Sequence, residues 1–131
     1  MRSRVSQALE DARGDRPRLS PSEALDAQRR GALLVDTRTP VQRKRQGELH
    51  GALVIDRTVL EWRLDPTSPH RIPEARPGRT VVVLCRQGYS SSFAAESLRR
   101  LGVDATDVVG GVEAWLSDGL PLADIPADVR E

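Results

Sequence analysis

The sequence predicts an α/β domain: a central, mostly parallel sheet with helices on both faces. Two observations carry this expectation. Ala32-Leu33-Leu34-Val35, Ala52-Leu53-Val54-Ile55 and Thr80-Val81-Val82-Val83-Leu84-Cys85 are short apolar runs of the kind that form strands buried on both sides. Segments with helical spacing and helical punctuation separate them, and such alternation closes into a parallel sheet. The 131 residues suit one compact domain with its own core.

From the N-terminus, residues 1–18 form a polar, arginine-rich extension in which Val5 to Ala12 is a short helix, loosely attached and ending near Gly14. Ser20-Pro21-Ser22-Glu23 is a capping box with proline at the first helical position, and Gly31 is the stop of that helix. The apolar run to Val35 ends in Asp36, and a second strand follows Gly51. Val59 to Leu64 makes a short helix, and Pro66 to Gly78, with Pro69, Pro73 and Pro77, makes a surface loop. The β-branched run at Thr80–Cys85 is the strongest strand. Phe93, Ala94, Ser97, Leu98 and Leu101 then recur at helical spacing before Gly102. Val103 to Val109 offers another strand, Val112 to Leu116 another helix, and residues 123–131 a C-terminal tail.

Composition removes several function classes. Lys plus Arg number 20 against 19 Asp plus Glu, so there is no positive excess to drive binding to nucleic acid. No apolar stretch is long enough to span a bilayer, and charged Glu10, Asp11 and Arg13 stand where a secretory signal would be apolar. A cytoplasmic setting with no membrane partner is the expectation. One cysteine, Cys85, excludes an internal disulfide and a multi-thiolate zinc site, and with His50 and His70 as the only histidines no metal is expected.

In parallel sheets ligands bind beyond the carboxyl ends of the strands, where both Asp36 and Cys85 stand. Taken alone, a cysteine closing a buried strand is a small hydrophobe. Here Arg86, Gln87, Gly88, Tyr89, Ser90, Ser91 and Ser92 follow it and lead into an amphipathic helix. Such a loop can turn successive N–H groups inward as an anion nest beside the positive helix end. Gly88 relieves a positive φ, the serines cap the helix, and the thiol becomes acidic and reactive.

With its flanks, this loop resembles the single-domain rhodaneses, which are thiosulfate sulfurtransferases. Leu34-Val35-Asp36-Thr37-Arg38 matches the family's early strand signature, and Gly47 to Ala52 stands at its middle turn. Cys85-x-x-Gly88-x-Ser90-Ser91 is similar to its active-site loop, and Gly110-Gly111-Val112-Glu113-Ala114-Trp115 to its closing signature. The resemblance covers about residues 19–122 and implies a rhodanese-like fold there. Glu48 and His50 depart from the histidine and proline usual in the middle turn.

The resemblance implies that Cys85 takes sulfur from a small donor such as thiosulfate as a persulfide. It then passes the sulfur to cyanide, a thiol or a sulfur-accepting protein, without metal or organic cofactor. Arg86, Gln87, Gly88, Tyr89, Ser90 and Ser91 would hold the anion. Asp36 and Arg38 are expected to brace neighbouring loops by charge-assisted hydrogen bonds, and with Arg57, Trp62 and Arg63 they are candidates for the pocket rim. Trp115 reads as core, His50 as a surface turn residue and Arg43-Lys44-Arg45 as a solvated loop.

Two other functions compete with the enzyme. One is a persulfide relay or docking module acting with a partner protein. The other is a cysteine-dependent phosphatase or arsenate reductase, which would need an arginine six positions after the cysteine, where Ser91 stands. A hydrolase dyad of Cys85 with His50 or His70 has no positive support.

Overall fold

The computed structural model describes residues 2–131. Helix α1 (Arg4–Arg13) is followed by α2 (Pro21–Arg29), whose capping box forms as the sequence requires. The Ser20 hydroxyl accepts the Glu23 N–H at 3.2 Å, and the Ser20 N–H donates to the Glu23 carboxylate at 2.8 Å. Strand β1 (Leu33–Asp36) is buried along its whole length. Next comes α3 (Pro40–Gln46), with a second capping box between Thr39 and Gln42. The basic run Arg43-Lys44-Arg45, expected as a solvated loop, is therefore helical, and Arg43 is half-buried and paired with Glu48 at 2.8 Å.

Strands β2 (Glu48–Leu49) and β3 (Leu53–Val54) lead to a 3₁₀ turn at Arg57–Val59 and to α4 (Leu60–Leu64). Strand β4 (Thr80–Leu84), helix α5 (Ser90–Arg100), strand β5 (Asp104–Asp107) and helix α6 (Gly111–Ser117) follow. Two short strands, β6 (Leu122–Ala123) and β7 (Asp128–Val129), close the chain. Five strands form one wholly parallel sheet in the order β5-β4-β1-β3-β7, and β2 pairs antiparallel with β6. The residues after Leu122, expected as a tail, thus add an edge strand, and the Arg130 N–H donates to the Val54 carbonyl at 2.8 Å.

Successive side chains of a strand point to opposite faces, and this alternation divides the core in two. Leu33, Val35, Val81 and Val83 pack with Leu60, Leu64, Ala94 and Leu98 of α4 and α5. Leu34, Val82 and Leu84 pack on the other face with Ala24 of α2 and with Val112 and Trp115 of α6. Trp115 is fully buried, as expected, and its indole N–H donates to the Pro121 carbonyl at 3.0 Å. The proline-rich loop is not wholly at the surface, because Ile72 and Ala75 enter the first core. The N-terminal extension is docked rather than loose: α1 packs on α5, Ala12 is buried, and its carbonyl accepts from Arg99 at 2.7 Å. No helix among the described residues is long and apolar enough to cross a membrane.

Candidate active site

Strand β4 ends at Leu84, whose carbonyl accepts both the backbone N–H (2.9 Å) and the hydroxyl (3.0 Å) of Thr37 from the end of β1. Cys85 is the next residue, so the parallel pairing of β1 with β4 places it at the carboxyl edge of the sheet. The loop from Cys85 to Tyr89 then turns into α5. Gly88 takes φ +89°, which a side chain at that position would resist. Its N–H donates to the Cys85 sulfur at 3.1 Å.

The first turn of α6 supports this loop from behind. The N–H groups of Val112 and Glu113 donate to the carbonyls of Cys85 and Arg86, each at 3.0 Å. Packing there is close enough to demand glycine. A Cβ on Gly111 would lie 2.6 Å from both the Cys85 carbonyl oxygen and the Gly88 nitrogen, and one on Gly88 would lie 2.8 Å from the Gly110 nitrogen. The closing glycine pair thus shapes the cysteine loop.

Polar groups converge on the sulfur. The thiol donates to the Ser91 hydroxyl at 3.2 Å, and that hydroxyl donates to the Asp107 carboxylate at 2.8 Å. Burial pushes the thiol up. The Ser91 hydroxyl and N–H, the Ser90 hydroxyl and the Gly88 N–H outweigh it and bring the thiol below its ordinary value. Cys85 is 5% exposed, at the base of an open cleft of about 280 Å³ lined by Thr37, Thr39, Gln42, Arg86, Gln87, Tyr89 and Ser90.

The structure brings together Cys85 and its six following candidates, with distinct placements. Arg86 lies at the solvent edge, its guanidinium 3.6 Å from Glu113. Tyr89 and Ser90 are exposed, while Ser91 is fully buried beside the sulfur. The serines do not cap α5, whose N-cap is Tyr89 without a side-chain bond; Ser91 and Ser92 both donate to Asp107 instead.

The rim candidates fare differently. Asp36 and Arg38 lie beneath the surface, 0% and 3% exposed, and do not line the cleft. Arg38 forks onto the Asp36 carboxylate at 2.7–3.1 Å and donates to the Gly47 carbonyl at 2.9 Å, bracing the middle turn as expected of charge-assisted bonds. Arg57 is paired with Glu61 at 2.9 Å, and Arg63 donates to the His70 carbonyl at 2.6 Å. Trp62 is 57% exposed on a larger groove of about 530 Å³ between α4 and α5. That groove is bigger than the cysteine cleft but holds no thiol, and none of the three residues lines the cleft. His50 and His70 are exposed and also absent from the cleft lining, so neither forms a dyad with Cys85.

Sequence reasoning missed Asp107 and its partners. The signal for Asp107 was its place toward the carboxyl end of the expected strand Val103 to Val109, where parallel sheets bind ligands. Arg13 and Arg18, which reach the same place, left no local signal. Thr39 and Gln42 of the cleft wall were readable as the second capping box.

A family model described as the rhodanese-like domain matches residues 20–118. An adenylyltransferase and sulfurtransferase of Zea mays is 36% identical over 87 residues, which is 66% of this chain and 18% of that protein. The chain thus spans about a fifth of the length of such relatives. Among solved structures, a Rhodopseudomonas palustris protein, described as of unknown function and as a possible tyrosine phosphatase, is 26% identical with a TM-score of 0.81, covering 94% of this chain and 96% of that one. The thiosulfate sulfurtransferase of Pseudomonas aeruginosa shares the fold, at 19% identity and a TM-score of 0.67 over 85% of this chain and 19% of that one.

Proposed function

Because the chain belongs to the rhodanese-like domain family, we propose that it is a sulfurtransferase that carries sulfur on Cys85. The observation that carries this reading is a single thiol, lowered from its ordinary value and held by an N–H and a hydroxyl, at the base of an open polar cleft. The Cys85 thiolate attacks the outer sulfur of thiosulfate, the sulfur–sulfur bond of the donor breaks, and sulfite leaves with the bonding electrons. A persulfide remains on Cys85. Cyanide or a thiol then attacks the terminal sulfur and leaves as thiocyanate or a new persulfide, which restores the thiolate. The backbone N–H groups of Arg86 to Ser91 balance the anionic sulfur in both halves, and ping-pong kinetics result. No step calls for a metal or organic cofactor.

A protein acceptor is the second form of this reading. The maize relatives, whose names join a sulfurtransferase to an adenylyltransferase in one chain, favour it. A phosphatase activity has less support. Ser91 occupies the position of the phosphate-clamping arginine and is fully buried with its hydroxyl on Asp107.

The test is the intact mass of the protein after thiosulfate treatment. One added sulfur atom, removed by cyanide, is expected; no adduct at any donor concentration rejects the reading. The same preparation is expected to leave nitrophenyl phosphate intact, and cysteine-dependent release of nitrophenol would favour the phosphatase instead.

Donor choice rests on Arg86. Its guanidinium stands at the cleft mouth with only the long contact to half-exposed Glu113. It is therefore free to meet the sulfonate oxygens of a compact dianion, and thiosulfate is expected to outrun mercaptopyruvate. Arg86→Gly should cost about 1.5–3 kcal/mol of thiosulfate transition-state binding, roughly ten- to a hundredfold in kcat/KM, with the loss shrinking at high salt. Unchanged kcat/KM would assign anion binding to the backbone alone.

A further inference from the structure

Behind the cysteine loop lies a group of charges that the proposed chemistry does not yet use. Asp107, at the end of β5, is 2% exposed. Its carboxylate takes a fork from Arg18, Nε at 2.8 Å and Nη2 at 3.1 Å, and hydroxyl bonds from Ser91 and Ser92, each at 2.8 Å. Arg18 also donates to the Gly88 carbonyl at 3.0 Å. Arg13, from the last turn of α1, donates to the same carbonyl at 2.9 Å and to the Ser92 hydroxyl at 3.0 Å. Both arginines precede the 20–118 span of the family match.

We infer that the Arg18–Asp107 pair, braced by Arg13, positions Ser91 on the Cys85 sulfur and balances the charge behind it, so that the segment before the family domain sets the pH at which Cys85 becomes a nucleophile. This rests on the reading that Cys85 is the reactive group.

While sulfur holds its own proton, Ser91 accepts from the thiol and donates to Asp107. When the thiol ionises, the Ser91 proton must turn toward sulfur, and Asp107 keeps Ser92 and the Arg18 fork as its remaining donors. An unneutralised carboxylate at this position would hold the Ser91 proton and repel the negative sulfur in a poorly screened interior. Arg18 cancels that charge, and Arg13 leaves the group net positive. Burial and the neighbouring Arg18 lower the Arg13 guanidinium, whereas Asp107, Tyr89 and Cys85 hold it up. Other charges nearby are committed elsewhere: Asp36 and Arg38 close on each other, and Arg86 leans toward Glu113 at the solvent edge. The α3 residues facing the cleft, Thr39 and Gln42, are neutral.

The experiment follows alkylation of the single cysteine by iodoacetamide against pH, read as intact mass, with a thermal melt of each variant. Arg18→Gln is expected to raise the pH of half-maximal rate by about one unit. Adding Asp107→Asn should bring it back to within about 0.3 unit of the wild type, and Arg13→Gln should raise it in the same direction by less. An unmoved midpoint in Arg18→Gln overturns the inference. So does a rise that persists in the double variant, which would mean that the loop is merely loosened. Should Arg18→Gln alone fail to fold, the double variant and Arg13→Gln decide: a wild-type midpoint in the first with a raised one in the second supports it, and any other pair overturns it. Alkylation needs no sulfur donor. A wild type that never takes sulfur while the midpoints move rejects only the sulfurtransferase reading; a sulfur adduct with unmoved midpoints rejects only this inference.

Discussion

Cys85→Ser is expected to leave the fold standing and to reduce sulfur transfer to the buffer rate, with no mass adduct. The serine oxygen can still accept the Gly88 N–H and share a hydrogen bond with Ser91, so these contacts of the native sulfur keep a partner. Stability should therefore change by no more than about 1 kcal/mol, as a thermal melt would report. Chemistry is another matter. A hydroxyl held by the same groups stays protonated where a thiol ionises, and it cannot form the sulfur–sulfur bond on which both half-reactions depend. Turnover in Cys85→Ser above the buffer rate would remove Cys85 from the mechanism.

Gly111→Ala is expected to damage stability and activity together. The residue has φ +58°, where an L side chain costs about 1–2 kcal/mol. Its new Cβ would also sit 2.6 Å from backbone atoms of Cys85 and Gly88 and 2.9 Å from the Gln87 nitrogen. Backbone cannot swing aside as a flexible side chain can, and overpacking adds about 1–3 kcal/mol. A loss of about 3 kcal/mol corresponds to a fall in Tm of roughly 10 °C. The displaced Gln87 and Gly88 N–H groups should lower kcat/KM at least tenfold by about 1.4 kcal/mol of lost stabilisation. Gly78→Ala is the control. It has φ +79° but nothing within 4 Å of the added carbon, so it should show only the backbone cost. Equal melts for the two variants would refute the close approach.

The sheet and its alternation were legible because Leu33 to Asp36 and Thr80 to Leu84 are continuous apolar runs, and burial on both faces leaves little other use for such runs. Four strands have only two residues: β3 lies within the apolar run Ala52–Ile55 and was legible, whereas β2, β6 and β7 have no such run around them and are too short to hold a period. Helix α3 was hidden by its charge: Thr39-Pro40 and Gln42 are good start signals, but the basic run that follows has no apolar face. In the site, Cys85 through Ser91 was readable because the loop is contiguous. The Asp107–Arg18 group was not, since it joins residues far apart in sequence and depends on where α1 and β5 settle. The rim assignment of Asp36 and Arg38 failed on depth, because proximity along a strand does not say which side of the surface a side chain lies.

The wholly parallel strand order has a kinetic consequence. No neighbouring pair in the five-stranded sheet is a hairpin, and the central pairing joins Leu33 to Val81 across most of the intervening chain. Loops of that length must close before any reward is collected, so folding is governed by contacts distant in sequence and is slow for the size of the molecule. The loop that holds Cys85 is complete only with Val112 and Glu113 of α6 beneath it and Asp107 of β5 behind it, all of which lie later in the chain than its own strand. Until those segments arrive, the Ser91 and Gly88 contacts that lower the thiol are not yet fixed, and Cys85 keeps the acidity of an ordinary cysteine. On the reading that Cys85 is the nucleophile, its reactivity is switched on by completion of the fold.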